Sequence, residues 1–216
     1  MIRNIIFDFG GVILNINYDL AMQSFFSLGV ESDLSFYSQS NQVSLFDELE
    51  KGLITPSEFR ERIKHLSSLD LTDDQIDTAW NSMILDLPPE RIILLEKTKK
   101  NYRTFMLSNS NSIHYNFYIK ALEEKYGYQS FSELMEKVYF SHQVKMKKPD
   151  REIFELVMKE NKLNSEETLF IDDTIQHIEA AKRYGLRTHF LTNKEIVTDL
   201  FDQNGILKTC IIKNAV

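Results

Sequence analysis

A chain of 216 residues with a hydrophobic share of 43% and a charged share of 26% has the make-up of a soluble globular protein that can bury a sizeable core. The formal net charge of -7 argues against a general nucleic-acid binder, though not against a small anion held in a locally positive pocket. Cys210 is the only cysteine, so no intrachain disulfide can form; no apolar run approaches the roughly 20 residues of a membrane span, and the N-terminus lacks a signal-peptide pattern, so a cytoplasmic location is expected.

The first predicted element is a buried strand, because the short run Asn4-Ile5-Ile6-Phe7 offers water no polar face. It ends on Asp8, and Gly10-Gly11 follow, where the backbone must turn sharply or approach something closely. After the polar-interleaved turn Asn15 to Asp19, Asp19 is expected to cap a helix through Met22 and Phe25. Helical patterning with repeated start signals then runs to about residue 90. Gln42 to Lys51 closes on Gly52, and Thr55-Pro56-Ser57-Glu58 is a capping box with proline at the first helical position. Thr72-Asp73-Asp74-Gln75 repeats that device before Ile76, Trp80 and Met83, and Pro88-Pro89-Glu90-Arg91 opens a further helix. This middle stretch contains no convincing strand.

Strand-like runs return afterwards, each ending in polar residues: Arg103–Leu107, Lys137–Phe140, Thr168–Ile171 and Arg187–Leu191. Helical stretches lie between them at Glu152–Glu160 and Ile175–Tyr184, the latter closed by Gly185. Strand, polar loop and helix in repetition predict an α/β fold, a doubly wound parallel sheet, with a helical insert between its first and second strands. The carboxyl ends of parallel strands share one edge, so Asp8, Ser108, Lys148 and Asp172-Asp173 are expected in one cleft.

Each of these residues also has a plainer role open to it. Asp8 could be a turn carboxylate or a nucleophile that forms a covalent intermediate. Asp172-Asp173 could be a solvated turn, but two adjacent carboxylates at a strand end repel each other and suit a hard divalent metal such as Mg²⁺. Ser108-Asn109 could cap a helix or hold an anion, and Lys148, beside Pro149, could be one of a run of solvated lysines or a pinned phosphate-binding charge. His114 and His142 read as surface or core residues, and Trp80, Phe46 and Phe59 as core of the helical insert.

Together, Asp8-Phe9-Gly10-Gly11-Val12, Leu107-Ser108-Asn109, Lys148-Pro149 and Phe170-Ile171-Asp172-Asp173 resemble, in order, the motifs of the haloacid dehalogenase superfamily. The match spans nearly the whole chain and is nearest to the bacterial phosphatases that act on sugar phosphates. The resemblance implies a Rossmannoid core over residues 1–15 and 89–216 and a helical cap over 16–88. It also implies a Mg²⁺-dependent phosphatase of a small phosphorylated metabolite, with Asp8 as nucleophile and Ser108, Asn109 and Lys148 on the phosphate. Asp8, the Gly10 carbonyl and Asp173 would hold the metal, with Asp172 in direct contact with it or just behind. Two departures stand out: Gly10 occupies the place of the family's second Asp, the general acid, and His177 replaces a common Asn or Asp. Two other readings stay open, a metal-free dehalogenase and a phosphoester-binding regulator with little turnover.

Overall fold

The computed structural model describes residues 1–30 and 39–214. Five strands, β1 (Asn4–Phe7), β2 (Arg103–Ser108), β3 (Lys137–Phe140), β4 (Thr168–Asp172) and β5 (Arg187–Phe190), form one parallel sheet in the order β3-β2-β1-β4-β5. Successive side chains leave a strand on opposite faces, and both faces here are covered. Ile5, Phe7, Met106, Leu169 and Ile171 enter one apolar cluster with helices α5 (Pro89–Thr98) and α6 (Ser112–Tyr126). Ile6, Phe105, Leu107 and Phe170 enter another with α8 (Arg151–Glu160) and α9 (Ile175–Tyr184). The predicted doubly wound sheet is therefore the observed one.

Between β1 and α5 lie α1 (Tyr18–Ser27), α2 (Gln39–Glu50), α3 (Pro56–Ser67) and α4 (Asp73–Asn81), with no strand among the described residues. The expected helical pattern across residues 31–38 lies outside the described residues. These helices build their own apolar cluster around Phe25, Leu49, Phe59, Ile63, Ile76 and Trp80, to which the sheet domain contributes Ile113. Trp80 sits among Phe46 and Phe59 with ring centroids 4.8 and 6.1 Å away, as insert core. Both capping boxes form: Thr55 with Glu58, and Thr72 with Gln75.

Local differences from expectation have local causes. The cap of α1 is Asn17, not Asp19; the Asn17 side-chain oxygen accepts from the Asp19 N–H at 3.1 Å, which places the helix start two residues earlier. Helix α6 was not anticipated. Its buried stripe is only Ile113, His114, Tyr118 and Leu122, too narrow and too polar to stand out as a periodic pattern. Asn111 begins it by accepting from the Ile113 and His114 N–H groups, and Gly127 ends it at φ 77°.

Candidate active site

Pairing of Phe7 with Met106 on one side and Ile171 on the other brings the ends of the three central strands level. The backbone then carries Asp8 past the end of β1, where its N–H donates to the Ile171 carbonyl at 2.9 Å. Asp8 is 6% exposed, Asp172 0% and Lys148 1%, a concentration of charge that water cannot compensate. They compensate one another: the Lys148 ammonium lies 2.7 Å from Asp8 Oδ1 and 2.7 Å from Asp172 Oδ2. It also stands 5.4 Å from the centre of the Phe170 ring.

The loop that delivers Lys148 is held by Asn109. The Asn109 side-chain amide donates to the Lys148 carbonyl at 2.8 Å, and its oxygen accepts the Lys148 N–H at 2.9 Å. This side chain places Lys148 rather than waiting free for a ligand. Ser108, at the end of β2, is buried, and the loop after it is tied to β3's end, where the Ser110 N–H donates to Ser141 Oγ at 2.9 Å. Asp172 is held by the Thr174 N–H at 2.8 Å and by His177, whose Nδ1 is 3.1 Å from both carboxylate oxygens. His177 thus occupies its unusual position as a support for Asp172. His142 is half-buried with Nδ1 3.0 Å from the Ser110 carbonyl; His114 is buried with Nδ1 2.9 Å from Asn81 Oδ1, and both are structural.

Asp173, next along the chain, makes a different contact. A Cβ added to Gly11, which has φ +76°, would lie 1.9 Å from Asp173 Oδ2. Only glycine lets this turn pass so close to that carboxylate.

The electrostatics are unbalanced. Burial pushes the Asp8 carboxyl up to about 8; Lys148 pulls the other way, while the charges of Asp172 and Asp173 add to the rise. Burial and then Asp172 raise Asp173 as well. Asp172 itself is held at about 2, since Lys148 and His177 overcome its burial. Three carboxylates share one ammonium, so one more cation is needed before Asp8 carries its charge easily at neutral pH. Oxygen donors crowded against a glycine turn fit a small hard ion such as Mg²⁺. Asp8, Asp172 and His177 each also bring one potential ligand atom within 4.8 Å of the others.

Two residues of this site carried no signal in the sequence. Tyr18, at the start of α1, is exposed, yet local crowding and then the charges of Asp8, Asp173, Glu50 and Asp172 raise its phenol pKa, so it keeps its proton. Lys147 turns away from Lys148 toward the helical insert, with its Nζ 2.7 Å from Glu50 and 2.9 Å from Asp47. A run of lysines gives no hint which way each will point.

Comparison with known proteins shows which family the chain resembles. A family model described as haloacid dehalogenase-like hydrolase matches residues 5–191. D-ribitol-5-phosphate phosphatase of Bacteroides thetaiotaomicron is 31% identical over 188 residues, which are 87% of this chain and 91% of that protein. The crystal structure of a family enzyme from the same bacterium, in complex with magnesium and inorganic phosphate, shares 33% identity. It superimposes with a TM-score of 0.84 over 94% of this chain and 100% of that one. A related hydrolase from Porphyromonas gingivalis shares 30% identity with a TM-score of 0.81, covering 90% of this chain and 93% of that one. Among the described residues, no helix is long and apolar enough to cross a membrane.

Proposed function

The chain belongs to the haloacid dehalogenase-like hydrolases, and on that premise we propose that it is a Mg²⁺-dependent phosphatase of a small phosphorylated sugar or polyol. The observation that carries the reading is the buried Lys148 ammonium bridging Asp8 and Asp172, beside a third carboxylate, Asp173, whose pKa burial and Asp172 raise despite Lys148. Asp8, the Gly10 carbonyl and Asp173 are the residues to hold the metal, with Asp172 directly behind. When bound, the ion supplies positive charge for the phosphate oxygens and for Asp8.

The chain's own groups do the rest. An Asp8 oxygen attacks phosphorus, the bond from phosphorus to the leaving oxygen breaks, and that oxygen takes a proton. Water then attacks the acyl phosphate, releasing inorganic phosphate and restoring the Asp8 carboxylate. Lys148 and Ser108 hold the phosphoryl group, and Lys148 offsets charge on it as it moves between oxygens. Asn109 keeps Lys148 in place through its backbone. Gly10 stands where a general acid would, so the leaving oxygen draws its proton from water. General acid catalysis contributes typically ~10²–10⁴-fold, so a slow enzyme is expected. The helical insert, residues 16–88, acts as a cap that selects the alcohol and limits water.

The similarity to a D-ribitol-5-phosphate phosphatase supports a polyol or sugar phosphate as the substrate class. The test is release of inorganic phosphate from a panel of polyol, sugar and nucleoside monophosphates, with Mg²⁺ and with EDTA. Mg²⁺-dependent turnover of at least one polyol or sugar phosphate is expected. Full activity in EDTA overturns the metal assignment, and binding without turnover across the panel makes the protein a phosphoester sensor.

A further inference from the structure

Lys147 precedes a residue of the proposed reaction but faces the other way. Its Nζ lies 2.7 Å from Glu50 Oε2 and 2.9 Å from Asp47 Oδ1, both on α2 of the helical insert. Three residues along, Asp150 Oδ2 lies 3.3 Å from the Nζ of Lys51, which also meets Asp47 at 3.2 Å. The loop that carries Lys148 is thus gripped by the insert on both sides of Pro149. The turn after α2 presses on the same region: a Cβ on Gly52 (φ +61°) would lie 2.2 Å from the His142 carbonyl in α7 (Ser141–Val144).

Isolated surface ion pairs contribute little, and several separate pairs would carry no inference. These differ in two respects. They form one connected set of five charges joining two parts of the molecule, and the side chains of Lys147, Asp47 and Glu50 are only 20%, 27% and 28% exposed. Burial works against the charge of Lys147, yet Glu50 and Asp47 together lift its pKa above the usual lysine value.

We propose that Lys147 is a positioning residue: its ion pairs with Asp47 and Glu50 dock α2 over the catalytic edge, and its peptide link to Lys148 couples that docking to the placement of the phosphate-binding ammonium. The assignment rests on the phosphatase reading for its kinetic consequence, but not for the docking itself.

The chain's one tryptophan makes the docking measurable. Trp80, on α4 of the insert, stacks on His114 of α6 with ring centroids 4.8 Å apart, so its exposure reports the contact between insert and sheet domain. Acrylamide quenching of Trp80 fluorescence is compared at low salt in the parent, Lys147→Ala, Lys147→Arg and the charge swap Lys147→Glu with Glu50→Lys. Lys147→Ala is expected to raise the quenching constant roughly twofold, as a looser docking equilibrium exposes the ring. Lys147→Arg is expected to return it to the parent's value, and the swap, which restores the pair with position 50 but sets an acid against Asp47, to return it in part. At about 1 M salt, where the screening length falls to about 3 Å, the parent should approach Lys147→Ala. With p-nitrophenyl phosphate and Mg²⁺, Lys147→Ala should raise KM about tenfold, the size of two partly buried pairs, and leave kcat within that factor. Equal quenching in all variants overturns the docking role, and an unchanged kcat/KM in Lys147→Ala overturns the positioning role. If the parent hydrolyses no phosphomonoester, the phosphatase reading falls while the quenching comparison still decides the docking.

Discussion

Lys147 and Lys148 are neighbours in the chain, each within 3 Å of two carboxylates, yet they belong to regions governed by different physics. At the sheet's edge, Lys148 is wholly buried with Asp8 and Asp172, and every charge must be balanced by a partner because water cannot help. On the face toward the helical insert, Lys147 keeps a fifth of its surface in water, and its partners keep more. Identical ion pairs are therefore expected to matter unequally. Removing a buried partner strands a charge, whereas removing a half-exposed one returns its partners to solvent.

The largest effect that sharpens this contrast is Lys148→Met. It leaves Asp8 and Asp172 facing each other without their ammonium, and thermal unfolding at pH 8 should show a loss of about 3–5 kcal/mol. Steady-state turnover should fall about 10³-fold, the scale for removing a preorganised charge from a developing anion. The Lys147 variants should unfold within about 1 kcal/mol of the parent. Comparable losses at both positions would erase the distinction between the two regions.

A second test uses pH. The raised pKa of Asp8 means that the folded state favours its protonated form. Its contribution to stability is present below the unfolded value of 3.8 and is lost as pH rises through about 8. Asp8→Asn removes that titration, while its side-chain oxygen can still accept from the Phe9 N–H, now 2.7 Å from Asp8 Oδ1. In chelator, the unfolding midpoint of the parent should therefore decline relative to Asp8→Asn between pH 5 and 9, by roughly ten degrees for a chain of this size. Saturating Mg²⁺ should flatten the difference, since an ion that binds only the folded state offsets the cost. A parent that gains stability on Asp8→Asn as pH rises would show that Asp8 is already balanced without a metal.

Much of this was legible in the sequence, unevenly. The strand-plus-acid pattern around Asp8 and Asp172 is local, and a parallel sheet brings its strand ends together whatever the details, so Asp8, Ser108, Lys148 and Asp172 were placed at one edge in advance. Side-chain directions were not legible. That Asn109 would hold the Lys148 backbone, that Asp172 would be taken up by Lys148 and His177, and that Asp173 would lie against Gly11 depend on contacts set by tertiary packing. The same holds for Tyr18 at the start of α1, and for Lys147, whose partners Asp47 and Glu50 reach it only because α2 lies over the loop that carries it. Helix α6 escaped notice because its buried face includes a histidine and spans few residues.

The central claim is that a phosphoryl group passes through Asp8. Acid quenching of the enzyme during turnover of a phosphomonoester with Mg²⁺, followed by mass spectrometry of the peptide that contains Asp8, tests it most directly. The expected result is a phosphoryl group on Asp8 that is lost on mild base treatment and never forms in Asp8→Asn. A phosphorylated residue elsewhere, or undiminished turnover by Asp8→Asn, would contradict the account.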